Sequence, residues 1–255
     1  MNQTIRKSEI IALARRDGKV TVEGLVEAFG VTHQTIRRDL TELADAGRLD
    51  RVHGGAILPS TTVNIGYADR EGLHGAAKAD IARACAAAIP NDCAVFLNIG
   101  TTTEAVARAL SDHEGLLVVT NNINVAMILS DHDQVEVIVT GGSLRRSDGG
   151  LIGQLARDTI AQFRFDVAVV GCSALGRDGS ILDFDIEEVA VSKAIIARSD
   201  TVFLAADSSK FDRKAPARIG SMSDVSCFFT EAPPPADVGD FCAEAGVDVV
   251  LAGKN

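Results

Sequence analysis

The sequence has no apolar stretch near the roughly 18 to 20 residues that a bilayer-spanning helix needs. Its opening, MNQTIRKSEI, lacks the apolar core of a secretory leader. The expectation is therefore a cytoplasmic protein. It has no Cys-x-x-Cys pair. Its five cysteines (Cys85, Cys93, Cys172, Cys227, Cys242) are odd in number and far apart, which argues against a disulfide framework or a zinc site. Buried thiols are the plain reading. His74, His113 and His132 are scattered and form no metal cluster, so neither metal nor cofactor is expected. The absence of a Walker loop and of GxGxxG disfavours nucleoside triphosphates and dinucleotides. The chain also lacks the positive charge usual in a nucleic-acid binder, its formal net charge being −10 over 255 residues. What remains, 46% hydrophobic and 24% charged, is ordinary globular composition at a length that fits one larger and one small domain.

The charge is unevenly spread. Residues 1–58 hold nine Lys/Arg against eight Asp/Glu, and the remainder holds 16 against 27. A near-neutral head on an acidic body points to two different jobs. In the head, apolar spacing predicts a helix over 5–17, with Ile10, Leu13 and Ala14 on one face and Gly18 as its stop. Thr21 caps a second helix carrying Val22, Leu25, Val26 and Phe29, and Gly30 permits a reversal. Thr32 caps a third, to about Ala46, with Ile36, Leu40 and Leu43 inward and Gln34, Arg38 and Thr41 outward beside Arg37. Leu49–Leu58 alternates loosely around His53-Gly54-Gly55, as a short hairpin does.

Three short helices, a glycine turn and a hairpin make a winged helix-turn-helix, and the side chains at the start of the third helix suit duplex DNA. The candidate DNA-binding residues are Thr32, His33, Gln34, Thr35, Arg37 and Arg38, with Arg51 and His53 on the hairpin for phosphate or a minor groove. Arginine reads guanine bidentately, each good pair giving roughly 1–3 kcal/mol of discrimination. An adjacent Arg pair by itself more often marks a solvated face; the helix–glycine–helix–hairpin setting is what turns the reading toward DNA.

Residues 59–75 are small and polar without helical periodicity and read as a linker. The effector-binding domain is expected over 76–255, where strands and helices alternate. Strands are predicted at 94–99, 116–120, 135–140, 166–171, 201–206 and 247–252, and helices at about 76–89, 104–110, 123–130, 155–163, 186–198 and 236–245. The fold class is thus α/β, a mostly parallel sheet covered on both faces. Ligands of such sheets lie beyond the carboxyl ends of the strands. There the sequence places Gly100-Thr101-Thr102-Thr103, Asn121-Asn122, Gly141-Gly142, Gly171 and Ser173, and Asp207-Ser208-Ser209-Lys210, with Asp183 and Asp185 as acceptors for hydroxyls. Amides and hydroxyls at a helix start cradle an anion, and Lys210 is a compact charge for phosphate. Taken singly these are a helix cap, a turn and a surface lysine. Taken together they predict a small phosphorylated polyol or sugar.

TIRRDL (residues 35–40) followed by RVHGGA (51–56) resembles the DeoR family of transcription regulators, and the likeness extends along the whole chain. It implies a sensor half similar in fold to ribose-5-phosphate isomerases, with the effector's phosphate at Gly100–Thr103 and near Lys210. Further stretches resemble one branch of the family: TTVN (61–64), RRSDGGLIG (145–153), DGSILDFDIEEV (178–189), SKAII (192–196), DSSKF (207–211) and EAPPP (231–235), the last expected to be a surface turn without chemistry. That branch implies sn-glycerol 3-phosphate as an inducer; the family implies a dimer or tetramer built through the sensor half, and Arg145 is a further candidate effector-binding residue. The alternatives are a DeoR-type regulator answering to another sugar phosphate and a DNA-tethered sugar-phosphate isomerase. Such an isomerase needs a carboxylate base. By rough alignment its base Glu falls at Ser192, which cannot serve unactivated at neutral pH, although Glu187 and Glu188 are close by. The expectation is a repressor, not an enzyme. A redox switch at Cys172 would require a lowered thiol pKa and exposure.

Overall fold

The computed structural model describes residues 3–59, 64 and 66–253; of the stretch TTVN only Asn64 falls within them. The chain divides into two compact units, residues 1–73 and 74–255.

In the first unit α1 (Gln3–Asp17) is followed by β1 (Lys19–Thr21), α2 (Val22–Phe29), α3 (His33–Asp45), β2 (Asp50–Val52), β3 (Gly55–Ile57) and α4 (Tyr67–Gly72). Both central helices start on a threonine. Thr21 accepts the amide of Gly24, and Thr32 accepts that of Thr35, each satisfying an N–H that the helix itself leaves unpaired. Gly30 closes α2 in the left-handed region at φ 62°, where a side chain would be strained. Ile10, Ala14, Leu25, Ile36, Leu40 and Leu43 meet in one core. The expected hairpin is β2–β3, and the unforeseen β1 completes it as a three-stranded sheet in the order β1-β3-β2. Three residues are too few to show an alternating pattern.

The linker expected over 59–75 is corrected in part, because Tyr67–Gly72 is helical and packs on β2. Asp69 on that helix accepts the backbone N–H of His53 at 3.2 Å and lies 3.4 Å from the Lys19 ammonium. Six residues show no helical period, and tertiary contacts of this kind hold the turn.

The second unit runs α5 (Gly75–Ala87), β4 (Ala94–Leu97), α6 (Thr101–Ala109), β5 (Leu116–Thr120), α7 (Ile123–Leu129), β6 (Val135–Val139), β7 (Ser143–Arg145), β8 (Gly150–Ile152), α8 (Gln154–Ile160), β9 (Phe165–Val170), β10 (Ala174–Leu175), β11 (Ser180–Asp183), α9 (Ile186–Ile196), β12 (Ser199–Ala205), β13 (Ala217–Ser221), β14 (Cys227–Thr230), α10 (Ala236–Ala245) and β15 (Asp248–Leu251). Seven strands form one parallel sheet in the order β15-β14-β12-β9-β4-β5-β6. Period-two alternation sends Val95 and Leu97 to the face covered by α5 and α6, and Phe96 to the face covered by α8 and α9. β14 was not predicted. Its four residues are fully buried in the sheet, but a run so short, set between Ser226 and Glu231, carries no length signal. Among the described residues no helix is long and apolar enough to cross a membrane.

Strand order reverses between β4 and β9, which are neighbours in the sheet but far apart in sequence. This is the switch point at which open α/β sheets leave a crevice.

In the head sheet a Cβ added at Gly55 would lie 1.9 Å from the carbonyl oxygen of Val20. Gly55→Ala must therefore push β1 from β3, an overpacking that typically costs about 1–3 kcal/mol. Thermal melts of the full chain should show the head transition lowered, with the body transition unchanged.

Candidate nucleic-acid interface and effector crevice

On α3 the anchoring residues Ile36, Leu40 and Leu43 are buried, while His33, Gln34, Arg37, Arg38 and Thr41 are exposed. Thr35 is half-buried. Its hydroxyl lies 2.9 Å from that of Thr32, so this pair is occupied in the cap. Asp39 is buried, which the sequence reading did not foresee, and is paired with the equally buried Arg6 of α1. The carboxylate of Glu42 accepts Nε of Arg38 at 2.9 Å, Nε2 of Gln3 at 3.0 Å and the ammonium of Lys7. Hydrogen bonds from Lys7 and Arg38 hold the Glu42 carboxyl below the usual carboxylate range.

Arg51 of β2 leans on α3, its Nη1 donating to the carbonyl of Arg37 at 3.5 Å. Burial, and then the charge of Arg37, push the Arg51 guanidinium below its usual value. Among the described residues no carboxylate pairs with either of these two arginines. Like charges held together without a counter-ion are relieved by a polyanion. His53 is exposed at the wing, its backbone tied to Asp69. The head thus presents a helix face and a wing that bear cations, with Asp39 and Glu42 of α3 each paired to residues of α1.

In the body the turns after β4, β9 and β12 converge. A Cβ at Gly171 would lie 3.9 Å from the carbonyl of Ile99 and 4.0 Å from that of Ala205. Gly100 precedes α6 with φ 134° and accepts the Thr103 hydroxyl at 2.7 Å. Thr102 and Thr103 are buried. Asp207 caps the turn 208–212 that carries Lys210, whose side chain is 13% exposed and therefore no solvated surface lysine. Burial opposes ionisation of Asp207, but Lys210, the Ser209 hydroxyl, His74 and Lys78 outweigh it and hold the carboxyl below its usual range. Asp207 Oδ2 is buried, accepts no hydrogen bond, and stands 4.0 Å from Nζ of Lys210.

Lys78 is the residue that sequence reasoning missed. It is 5% exposed and lies on the stripe Lys78, Ile81, Ala82, Cys85 that α5 buries. A lysine at i of an i, i+3, i+4, i+7 apolar pattern was the available signal. Two ammonium groups thus act on one buried carboxylate. Glu231, of the expected inert turn EAPPP, fastens the same segment by accepting the Ser208 amide at 3.1 and 3.0 Å and its hydroxyl at 2.5 Å. Cys172 lies within reach of these charges, yet burial pushes its thiol up to about 12, contrary to a redox switch.

The remaining predicted residues fall into four groups. Asn121 and Asn122 are fully buried. Asn122 donates to Glu104 at 3.1 Å and Asn121 to the Leu151 carbonyl at 3.2 Å, while Asn121 Oδ1 is left unpaired. Ser173 donates to Asp183 at 3.1 Å, and Asp185 caps α9. Gly141 and Gly142 are packing residues. Added Cβ atoms would lie 2.7 Å from Leu155 and 2.6 Å from the Ile152 carbonyl, at the edge strand two places from the switch point. Arg145 is engaged by Asp148 (2.9 and 2.7 Å), Asp185 (2.9 Å) and Glu188 (2.6 Å), so it braces the loops around the crevice. Among the described residues no group of His, Cys, Asp and Glu is arranged for a metal.

Residues 73–232 match the family model of the DeoR C terminal sensor domain, and residues 6–62 that of the DeoR-like helix-turn-helix domain. The glycerol-3-phosphate regulon repressor of Escherichia coli (strain K12) is 48% identical over 93% of this chain and 94% of its own. The repressor of the same name from Haemophilus influenzae is 44% identical over 98% of each. Ribose 5 phosphate isomerase A from Neisseria gonorrhoeae aligns with a TM-score of 0.40 and 14% identity over 60% of this chain and 56% of that one.

Burial, reinforced by Asp183, pushes Glu188 up to about 8 from an ordinary 4.5, against the pull of Arg145. The folded body therefore binds this proton more tightly than the unfolded chain. The stability it contributes is full below pH 4.5 and is lost as pH rises through about 8. Melting temperatures of the full chain across that window should decline less steeply for Glu188→Gln than for the parent.

Proposed function

The chain belongs to the DeoR family of transcriptional regulators, and from that premise we propose that it is a repressor that grips operator DNA through its head and lets go when a small phosphate ester occupies the crevice at the carboxyl ends of β4, β9 and β12. The ester is sn-glycerol 3-phosphate, and the regulated function is the uptake and breakdown of glycerol and its phosphate. The observation that carries the sensor reading is the pair of half-buried and buried ammonium groups, Lys210 and Lys78, acting on Asp207 beside a helix start rich in hydroxyls. A phosphate dianion meets there what it needs: fixed N–H groups, hydroxyls and two charges in a site of reduced solvent access. Its effector residues are Gly100–Thr103, Lys210 and Lys78, with Ser173 and Asp183 for hydroxyls. The choice of glycerol 3-phosphate rests on the names of the two relatives.

Residues 1–58 are assigned to DNA and 76–255 to the effector. Gln34, Arg37 and Arg38 face the major groove, and Arg51 and His53 the backbone. Two heads at fixed spacing read a two-part operator, so the protein works as a homo-oligomer, in the cytoplasm where its DNA is. A ligand releases DNA only by binding the released arrangement more tightly, and a coupling of roughly 1–3 kcal/mol weakens operator affinity about 5–150-fold. The relatives are repressors rather than enzymes. Ser192, at the position of an isomerase's base, is 1% exposed and accepts the amide of Asn98 at 2.9 Å, an arrangement suited to packing.

Thermal shift of the full chain against a panel of phosphorylated sugars and polyols should single out glycerol 3-phosphate, since a ligand of the folded state raises the melting point by mass action. Titrations of a duplex enriched from a random pool, with and without that ester, separate the two jobs. Lys210→Ala should bind DNA normally and no longer release it. Arg38→Ala should lose preference for the enriched duplex while its thermal shift survives. A normal response of Lys210→Ala overturns the phosphate assignment.

A further inference from the structure

The base-reading arginine of α3 does not stand alone. Arg38 is 77% exposed on its side chain, and its guanidinium makes one contact among the described residues, from Nε to Glu42 Oε1 at 2.9 Å. Both Nη groups are left for a ligand. Arg38 borders a polar cleft of about 460 Å³ shared with Gln3, Thr32 and Gln34. An isolated carboxylate one turn along an exposed helix would order such a side chain little, because both partners keep their own rotamer freedom. Glu42 is not isolated. Its Oε2 is held by Gln3 at 3.0 Å and by Lys7, both from α1, and α1 is itself pinned to α3 by the buried Arg6–Asp39 pair.

We propose that Glu42, clamped from α1 by Lys7 and Gln3, is a positioning residue that fixes the Arg38 guanidinium for a base edge and withholds it from the phosphate backbone. The proposal rests on the DNA-reading role given to Arg38 above. A guanidinium anchored at Nε presents its two terminal nitrogens as a fixed fork, the shape that meets O6 and N7 of guanine. Released from that anchor, a long flexible cation settles on the nearest phosphate, which adds affinity for any sequence and specificity for none. The carboxylate also places a negative charge beside the DNA face, which penalises binding that does not use the fork.

The test is a double-mutant cycle in the full chain with two probes, a duplex enriched from a random pool by the parent protein and the unselected pool itself. Glu42→Ala should reduce the ratio of enriched-duplex to pool affinity about 5- to 10-fold, the scale of losing one oriented base contact. Affinity for the pool should hold or rise, and the slope of log affinity against log salt should steepen by about 0.9, one more phosphate neutralised. In the Arg38→Ala background Glu42→Ala should cost nothing further. Glu42→Gln, which keeps an acceptor for Nε, should restore most of the ratio; it replaces Glu42→Ala in the cycle, with a smaller expected loss, if that variant loses its helical signal. An unchanged ratio for Glu42→Ala, or an equal loss with and without Arg38, overturns the positioning role. If Arg38→Ala itself leaves the ratio intact, the base-reading role of Arg38 is what fails.

Discussion

The body is governed by the place where its parallel sheet changes winding direction. β5 and β6 are laid on one side of β4, and β9, β12, β14 and β15 on the other. The helix leaving β4 packs on one face of the sheet and the helix that follows β9 packs on the opposite face, as their separate cores show. Neither connection covers the crevice between them. The start of α6 carries no side-chain cap on Gly100, and the turn after β12 carries Lys210. A different strand order with the same residues would bury this helix start under a crossover, where unsatisfied amides cost about 1–3 kcal/mol each.

Charge is sorted along the same edge. Toward β12 stand Lys78, Lys210 and Asp207; toward β11 and α9 stands Asp183, and beside it Asp185, Glu188 and Asp148 of the β7–β8 loop, these three drawn together by Arg145. Burial, and then the charge of Asp183, outweigh the pull of that one guanidinium, which is why Glu188 holds its proton far above the usual range. A polyol monophosphate has matching polarity, a dianion at one end and hydroxyl donors at the other. Each region alone resembles an ordinary structural ion network; the two adjoin at Cys172, which feels the charges of Lys210, Asp207 and Asp183.

How much of this was legible in the sequence depends on how local the signal is. AVFLNI and LLVVT are long enough, and the helices between them periodic enough, to reveal a covered parallel sheet. Thr21, Gly30 and Thr32 mark helix ends by residue type alone. The buried strand at Cys227–Thr230, β1 and the helix Tyr67–Gly72 were not legible, since each is three to six residues long and exists through partners distant in sequence. The same holds in the site. Gly100–Thr103 and Lys210 lie at strand ends and could be picked out. Gly141 and Gly142 share that signature, yet serve the close approach of Leu155 and Ile152. Lys78 was written into the stripe of α5 and overlooked, because a cation on an apolar face looks like noise until a carboxylate is found opposite.

The head shows why summed charge misleads. Counted along the chain it is nearly neutral, which argues against a nucleic-acid surface. The carboxylates of α3 are not distributed as the count implies. Asp39 is buried against Arg6, and Glu42 is shared between Lys7 and Gln3 of α1 and the exposed Arg38, so neither stands as an unpaired negative charge on the face. The opposite side of α3 keeps Arg37, flanked by Arg51, with no carboxylate paired to either among the described residues. Affinity for a polyanion follows the local field over about a Debye length, roughly 8 Å at physiological salt, not the total. An acidic body then becomes consistent with DNA binding: it weakens attraction to arbitrary duplex, so that occupancy depends on the few contacts that a particular operator makes with this face.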